Sequence, residues 1–191
     1  MVYPILIYGH PILRKVAREV DRGYPGFETF LKDLWETMYK SDGVGLAAPQ
    51  VGHSIRVFVI DTSALAENDP SIKPFRKAFI NPNIIEKTGD IILYNEGCLS
   101  LPNLREDVER EARVRIQYLD EDFVFHDEYY EGVQARVIQH EYDHLEGILF
   151  PDRLKPLRRK LLKGKLNALM KGNFKAGYQT ILPREKAPVF A

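Results

Sequence analysis

The spacing of apolar residues along the chain changes from one segment to the next, and each change marks an element. Phe27, Phe30, Leu31, Leu34, Trp35 and Met38 recur at three- and four-residue spacing with Glu28, Lys32, Asp33 and Glu36 between them. That pattern predicts an amphipathic helix, which Ser41, Asp42 and Gly43 end. The small residues from Gly43 to Gln50 lead into Ile55, Val57 and Val59, which alternate as a strand does. Further strands are expected over 79–85, 91–94, 113–119 and 123–130, and the polar stretch 64–77 reads as a surface loop. Helices are expected over 133–146 and 157–170, with a proline-containing tail after Gly172 that wanders or covers a sheet edge. A helix, then strands, then helices predicts an α+β fold rather than an alternating α/β one.

Composition narrows the class. At 191 residues, with 45% apolar and 28% charged positions, the chain is long enough for one full core, which argues against disorder and against a disulfide-stapled mini-fold. The expected organisation is a single compact domain over 1–175 with residues 176–191 as a tail. The apolar run from Ile5 to Tyr8 is far too short to span a bilayer and no Lys or Arg precedes it, so neither a membrane segment nor a secretory signal is expected and the protein reads as cytoplasmic. The lone Cys98 cannot form an internal disulfide and is therefore available for metal or catalytic chemistry. A net charge of zero hides an imbalance: residues 1–150 hold 16 Lys and Arg against 25 Asp and Glu, whereas 151–175 hold nine basic residues against Asp152 alone. Such a basic segment fits either a polyanionic partner or a solvated helix face that the acidic body partly neutralises.

The strongest chemical signal is His140-Glu141-Tyr142-Asp143-His144, an HExxH pattern on a predicted helix with Val133 and Val137 on the face of the two histidines. Four-residue spacing puts both imidazoles on one side, where they can bind one metal ion, with Glu141 beside them to handle the proton of an attacking water. A third ligand is needed, and His10, His53, His126 and Cys98 are the candidates, a thiolate being the strongest for a borderline-soft ion. The metzincin pattern fails at Phe150, which occupies the position of its third histidine, and no acid lies between Leu157 and Phe174 to serve as a downstream glutamate ligand. Gly43-Val44-Gly45-Leu46-Ala47-Ala48 matches a dinucleotide-binding spacing but follows a helix and leads to a strand, the reverse of that motif's context. Its small residues suit close approach of a ligand to the backbone, and Gln50 offers a neutral donor for an oxyanion.

Taken together, GVGLAAPQ at 43–50, EGCLS at 96–100 and QHEYDHLEG at 139–147 resemble, in this order, the motifs of the peptide deformylase family in its type I, bacterial or organellar, form. Gly9-His10-Pro11-Ile12-Leu13-Arg14 also looks like the start of these enzymes, and the resemblance spans about residues 1–170. It implies a compact α+β domain whose HExxH helix lies against antiparallel sheet, with a C-terminal helix, and removal of the N-formyl group from the first methionine of nascent proteins. By the same resemblance Cys98, His140 and His144 are metal ligands, Glu141 is the acid/base, and Gln50 and the Leu99 N–H surround the oxyanion. Gly45, Val44, Arg105, Val133 and Val137 are expected at the substrate, and Glu96 and Arg110 as a salt bridge behind the cysteine-bearing strand. The polar stretch 64–77 departs from the family pattern.

The expected cofactor is one divalent ion per chain, Fe²⁺ in the cell, with Zn²⁺, Ni²⁺ or Co²⁺ compatible with the same donors. The expected partners are formyl-methionyl nascent peptides and, through the basic C-terminal helix, the ribosome; neither a membrane nor DNA is expected. Two rival readings remain at this level: an HExxH metallo-endopeptidase, and a non-enzymatic His₂Cys structural metal module.

Overall fold

The computed structural model describes residues 1–186. Its centre is a five-stranded sheet, in the order β2-β3-β4-β5-β6, in which every neighbouring pair is antiparallel. The strands are β2 (Gly45–Ala47), β3 (Val57–Asp61), β4 (Arg76–Cys98), β5 (Leu101–Leu119) and β6 (Phe125–Glu131). Strand β3 is buried on both faces, which is why its sequence is an unbroken apolar run rather than an alternating one. Val57 and Val59 face the helix α1 (Phe27–Lys40), joining Phe30, Leu34 and Met38 in one core cluster. Phe58 and Ile60 face the opposite way, toward the helix α3 (Gly132–Leu145), and pack with Phe79, Ile116, Ala135 and Ile138. The sheet therefore lies between the first helix and the HExxH helix.

A third cluster closes the far side. Leu162, Leu166 and Leu169 of the C-terminal helix α4 (Pro156–Met170) pack on Leu101, Leu104 and Val108 of β5. Leu157 and Leu161 of this helix, one turn apart, are exposed. A short parallel pair, β1 (Ile5–Leu6) with β7 (Thr180–Ile181), joins the two ends of the described chain. Residues beyond 175, set apart as a tail by their composition, thus include a strand and Ile181, which is buried. Residues 187–191 of that segment lie outside the described part.

The hairpin of β4 and β5 differs most from expectation. The strands expected over 79–85 and 91–94 are one 23-residue strand, because Glu86-Lys87-Thr88-Gly89-Asp90 is not a turn. The register slips there between Thr88 and Ile91, and Gly89 takes φ +81°, so the strand bends and continues. Residues 101–112, not expected to be a strand, form the first half of β5. Their inward positions include Glu106 and Arg110, both buried, so charges occupy places where an alternating pattern would show apolar residues. Part of the expected loop 64–77 is the helix α2 (Ser63–Asn68).

Candidate metal centre and active site

The two histidines come from one helix and the cysteine from one hairpin. On α3, His140 and His144 are one turn apart, with ring centroids 5.2 Å from each other. Cys98 ends β4 at the tight turn into β5, pairing with Leu101 across it. Its Sγ lies 3.3 Å from His144 Nε2. One ligand atom from each of Cys98, His140 and His144 falls within 4.8 Å of the others. A thiolate and two imidazoles so placed fit a tetrahedral divalent ion with a coordination position left open. The other histidines weighed as third ligands are engaged elsewhere. His10 accepts from the Ile12 N–H, His53 packs on Tyr3 and Phe30, and His126 pairs with Asp120 at 2.7 Å.

Behind this cluster sits a buried network of charges centred on Glu96. Arg110 forks onto it, Nε to Oε1 at 2.6 Å and Nη2 to Oε2 at 2.9 Å, while its Nη1 donates to Asp143 Oδ2 at 2.7 Å. Arg136 Nη1 also donates to Glu96 Oε1, at 2.9 Å, and to the Val108 carbonyl, and its Nη2 donates to the Ile92 carbonyl. Arg153 closes the network on Asp143. Burial works against a charge on Glu96, but the hydrogen bonds from Arg110 and His140 outweigh it and hold the group well below the ordinary carboxylate range. An ionised Glu96 can only accept, so His140 Nδ1, 2.9 Å from Oε2, must carry the proton. That leaves the Nε2 lone pair of His140 for a metal.

Glu141 points the other way, into the cleft. Its Oε2 is buried without a hydrogen-bond partner among the described residues, and burial pushes the group up to about 7. Such a carboxylate exchanges a proton readily near neutral pH. The room it occupies exists because position 45 is glycine: a Cβ there would stand 2.5 Å from Glu141 Oε1. Gln50 is anchored through its Oε1, which accepts from the Ala47 N–H at 2.9 Å. Its amide then faces the cysteine turn, 3.5 Å from Cys98 Sγ and 3.2 Å from Ser100 Oγ.

A single cleft brings together most of the residues expected from the sequence: Val44, Gly45, Gln50, Glu96, Cys98, Leu99, Arg105, Val137, His140 and Glu141. Arg105 lies across Gly97, where a Cβ would meet its guanidinium at 2.7 Å, and donates to Asn95. Val133 is not part of the lining and packs instead on the cluster around Phe79. His144 and Arg110 are buried behind the wall. Among the liners missed by sequence reasoning are Arg136, Tyr94 and Leu65. Arg136 stands one helical turn before His140, a spacing that could have marked it, while Tyr94 lies on β4 and Leu65 on α2. Leu65 belongs to the stretch that departs from the family pattern, so this stretch forms part of the cleft's rim.

Comparison with known proteins agrees with this geometry. A family model described as polypeptide deformylase matches residues 2–160. The peptide deformylase of Cytophaga hutchinsonii is 50% identical over 186 residues, covering 97% of this chain and 100% of that protein. That of Christiangramia forsetii is 46% identical over 193 residues, covering 97% and 98%. Among solved structures, the peptide deformylase from Thermus thermophilus superposes with a TM-score of 0.78 at 39% identity, covering 91% of this chain and 100% of that one. The corresponding structure from Legionella pneumophila gives 0.77 at 35% identity, covering 91% and 98%. With a Cys-His-His cluster beside a buried glutamate, and with matches over nearly its whole length, the chain belongs to the peptide deformylase family of metal-dependent hydrolases.

Proposed function

We propose that Cys98, His140 and His144 hold the divalent ion and that Glu141 moves the proton as the formyl group leaves the N-terminal methionine of a nascent peptide. The observation that carries this reading is the convergence of three ligand atoms within 4.8 Å on the cleft where Glu141 sits buried and poised near neutrality. An ion bound there supplies a Lewis acid and brings the pKa of a water toward 7. Fe²⁺ is the proposed ion in the cell, and Zn²⁺, Ni²⁺ and Co²⁺ suit the same donors. Glu141 accepts the proton of the attacking water and returns it to the departing amine. The Gln50 amide and the Leu99 N–H donate to the oxygen on which charge develops, each such donor being worth about 2.7–4 kcal/mol. Val44 and Val137 supply apolar wall for the methionine side chain, and Gly45 and Gly97 admit the peptide backbone beside them.

The site of action proposed is the cytoplasm, at the ribosome; no helix among the described residues is long and apolar enough to cross a membrane. The basic helix divides into two halves. Arg158 pairs with Glu106 and, just ahead of the helix, Lys155 pairs with Glu109, both acids of the body, while Arg159 pairs with the segment's own Asp152. Lys160, Lys163 and Lys165 on the helix, with Lys171 and Lys175 after its end, form no ion pair among the described residues, and Leu157 and Leu161 of the helix are exposed. This half supports a salt-sensitive contact with ribosomal RNA phosphate.

Three outcomes are expected. Metal-loaded protein should release formate from formyl-Met-Ala-Ser and leave an acetylated or internal peptide intact, and Glu141→Gln should keep its metal while kcat falls at least ~100-fold. Cleavage of the internal peptide instead would identify an endopeptidase, and a Glu141→Gln variant with parental kcat would remove Glu141 from proton transfer. Gly45→Ala, by displacing the Glu141 carboxylate, should lower kcat by about 100-fold or more with metal content and helical circular dichroism unchanged; a fully active variant would show that the close approach is not maintained. Reversal of Lys160, Lys163 and Lys165 to Glu should weaken co-sedimentation with ribosomes at low salt while short-peptide turnover stays intact; undiminished sedimentation would return the helix to a purely structural role.

A further inference from the structure

The turn that carries Cys98 and Leu99 is fastened from three separate parts of the chain. Gln50 reaches Cys98 Sγ and Ser100 Oγ from the small-residue segment. The Tyr8 N–H, just after β1, donates to the Ser100 carbonyl at 2.8 Å. The third fastening comes from the far end of the sequence, where the Tyr178 hydroxyl donates to the Leu99 carbonyl at 2.8 Å. No other hydrogen bond to that carbonyl is formed among the described residues.

Tyr178 is held in place from both sides. It packs against the core cluster of α1 and β2. The residues that follow are clamped to the first strand, Ile5 N–H donating to the Gln179 carbonyl and Ile7 N–H to the Ile181 carbonyl, each at 2.9 Å. Burial, and then the nearby Cys98 sulfur, push its phenol up to about 12, so the O–H is a donor throughout the neutral range. The position lies beyond residues 2–160, the part matched by the family model.

We propose that Tyr178 is a positioning residue for deformylation: by holding the Leu99 carbonyl it fixes the Leu99–Ser100 peptide and, through the Leu99 α-carbon, restrains the preceding Cys98–Leu99 peptide, which carries the Leu99 N–H next to the cysteine. The other fastenings fall on either side of that carbonyl, Gln50 on Cys98 and Ser100 and the Tyr8 N–H on the Ser100 carbonyl, and among the described residues Tyr178 is the group that holds the Leu99 carbonyl itself. A backbone donor is useful in a transition state only if it already points at the developing charge. The C-terminal segment thereby acts as a strap from the core to the catalytic turn. The inference rests on the roles proposed above for Cys98 and Leu99.

Full-length Tyr178→Phe removes the hydroxyl and keeps the ring. Loaded with nickel, it is expected to show kcat on formyl-Met-Ala-Ser reduced roughly tenfold with KM within about twofold of the parent, because binding contacts remain while the donor loses its aim. It should also pass nickel to a chelator several-fold faster, at unchanged initial metal content and a similar thermal midpoint. A kcat within about twofold of the parent, or a loss accounted for entirely by a smaller folded or metal-loaded fraction, overturns the assignment. The chelator measurement needs no substrate. If the parent itself fails to deformylate, the functional reading is at fault, and an unchanged rate of nickel release then overturns the role of Tyr178 separately.

Discussion

One buried carboxylate holds the two halves of the site to each other. The proposed ligands sit on elements that share no local geometry, His140 and His144 on a helix and Cys98 at the end of a long strand, and Glu96 bridges them from two residues before the cysteine. Its oxygens accept from His140 on the helix and from Arg110 on the neighbouring strand, while Arg136 reaches it from one helical turn before His140. Taking these charges out of water is costly, and mutual attraction offsets the cost only when every donor is matched, as it is here for Glu96. Removing one partner from such a network typically costs about 3–5 kcal/mol, because the other charges are left buried and uncompensated. The arrangement fixes the register of the hairpin against α3 and the tautomer of His140 in one stroke.

The contrast between two neighbouring acids follows from the same arrangement. Glu96 is buried among cations and stays ionised, which makes it a fixed structural anchor. Glu141 is buried with no cation bonded to it among the described residues and burial pushes it up to about 7, which suits the proton-transfer role proposed for it. Similar burial thus yields opposite shifts, decided by the donors that reach Glu96 and not Glu141. The absence of a side chain at Gly45 lets the second group stand at the cleft wall.

Much of the site was legible because its chemistry depends on short local spacings. Two histidines four apart on a helix must share a face, and that spacing is what made them a candidate metal pair. Cys98 and Gln50 were harder, since only the fold brings the hairpin and the small-residue segment to the histidines; each was a candidate by its chemistry, and the joint presence of the three motifs strengthened both. The first half of β5 escaped notice because Glu106 and Arg110 point inward, paired with Arg158 and with Glu96. Period-two patterns are read from apolar residues, so a strand whose buried positions are filled by ion pairs looks like a loop. Tyr178 escaped for a related reason: it acts through a single hydrogen bond from a segment whose composition reads as a tail.

If Glu96 governs the metal site from behind, its charge must be felt in how tightly the ion is held. Competition of Glu96→Gln against a chelator, with far-ultraviolet circular dichroism to establish that the fold is kept, measures this directly. The structure predicts metal affinity lower by about 10- to 100-fold, because His140 loses the charged acceptor that sets its tautomer and the hairpin loses its tie to the helix. Parental affinity in a folded Glu96→Gln protein would contradict it.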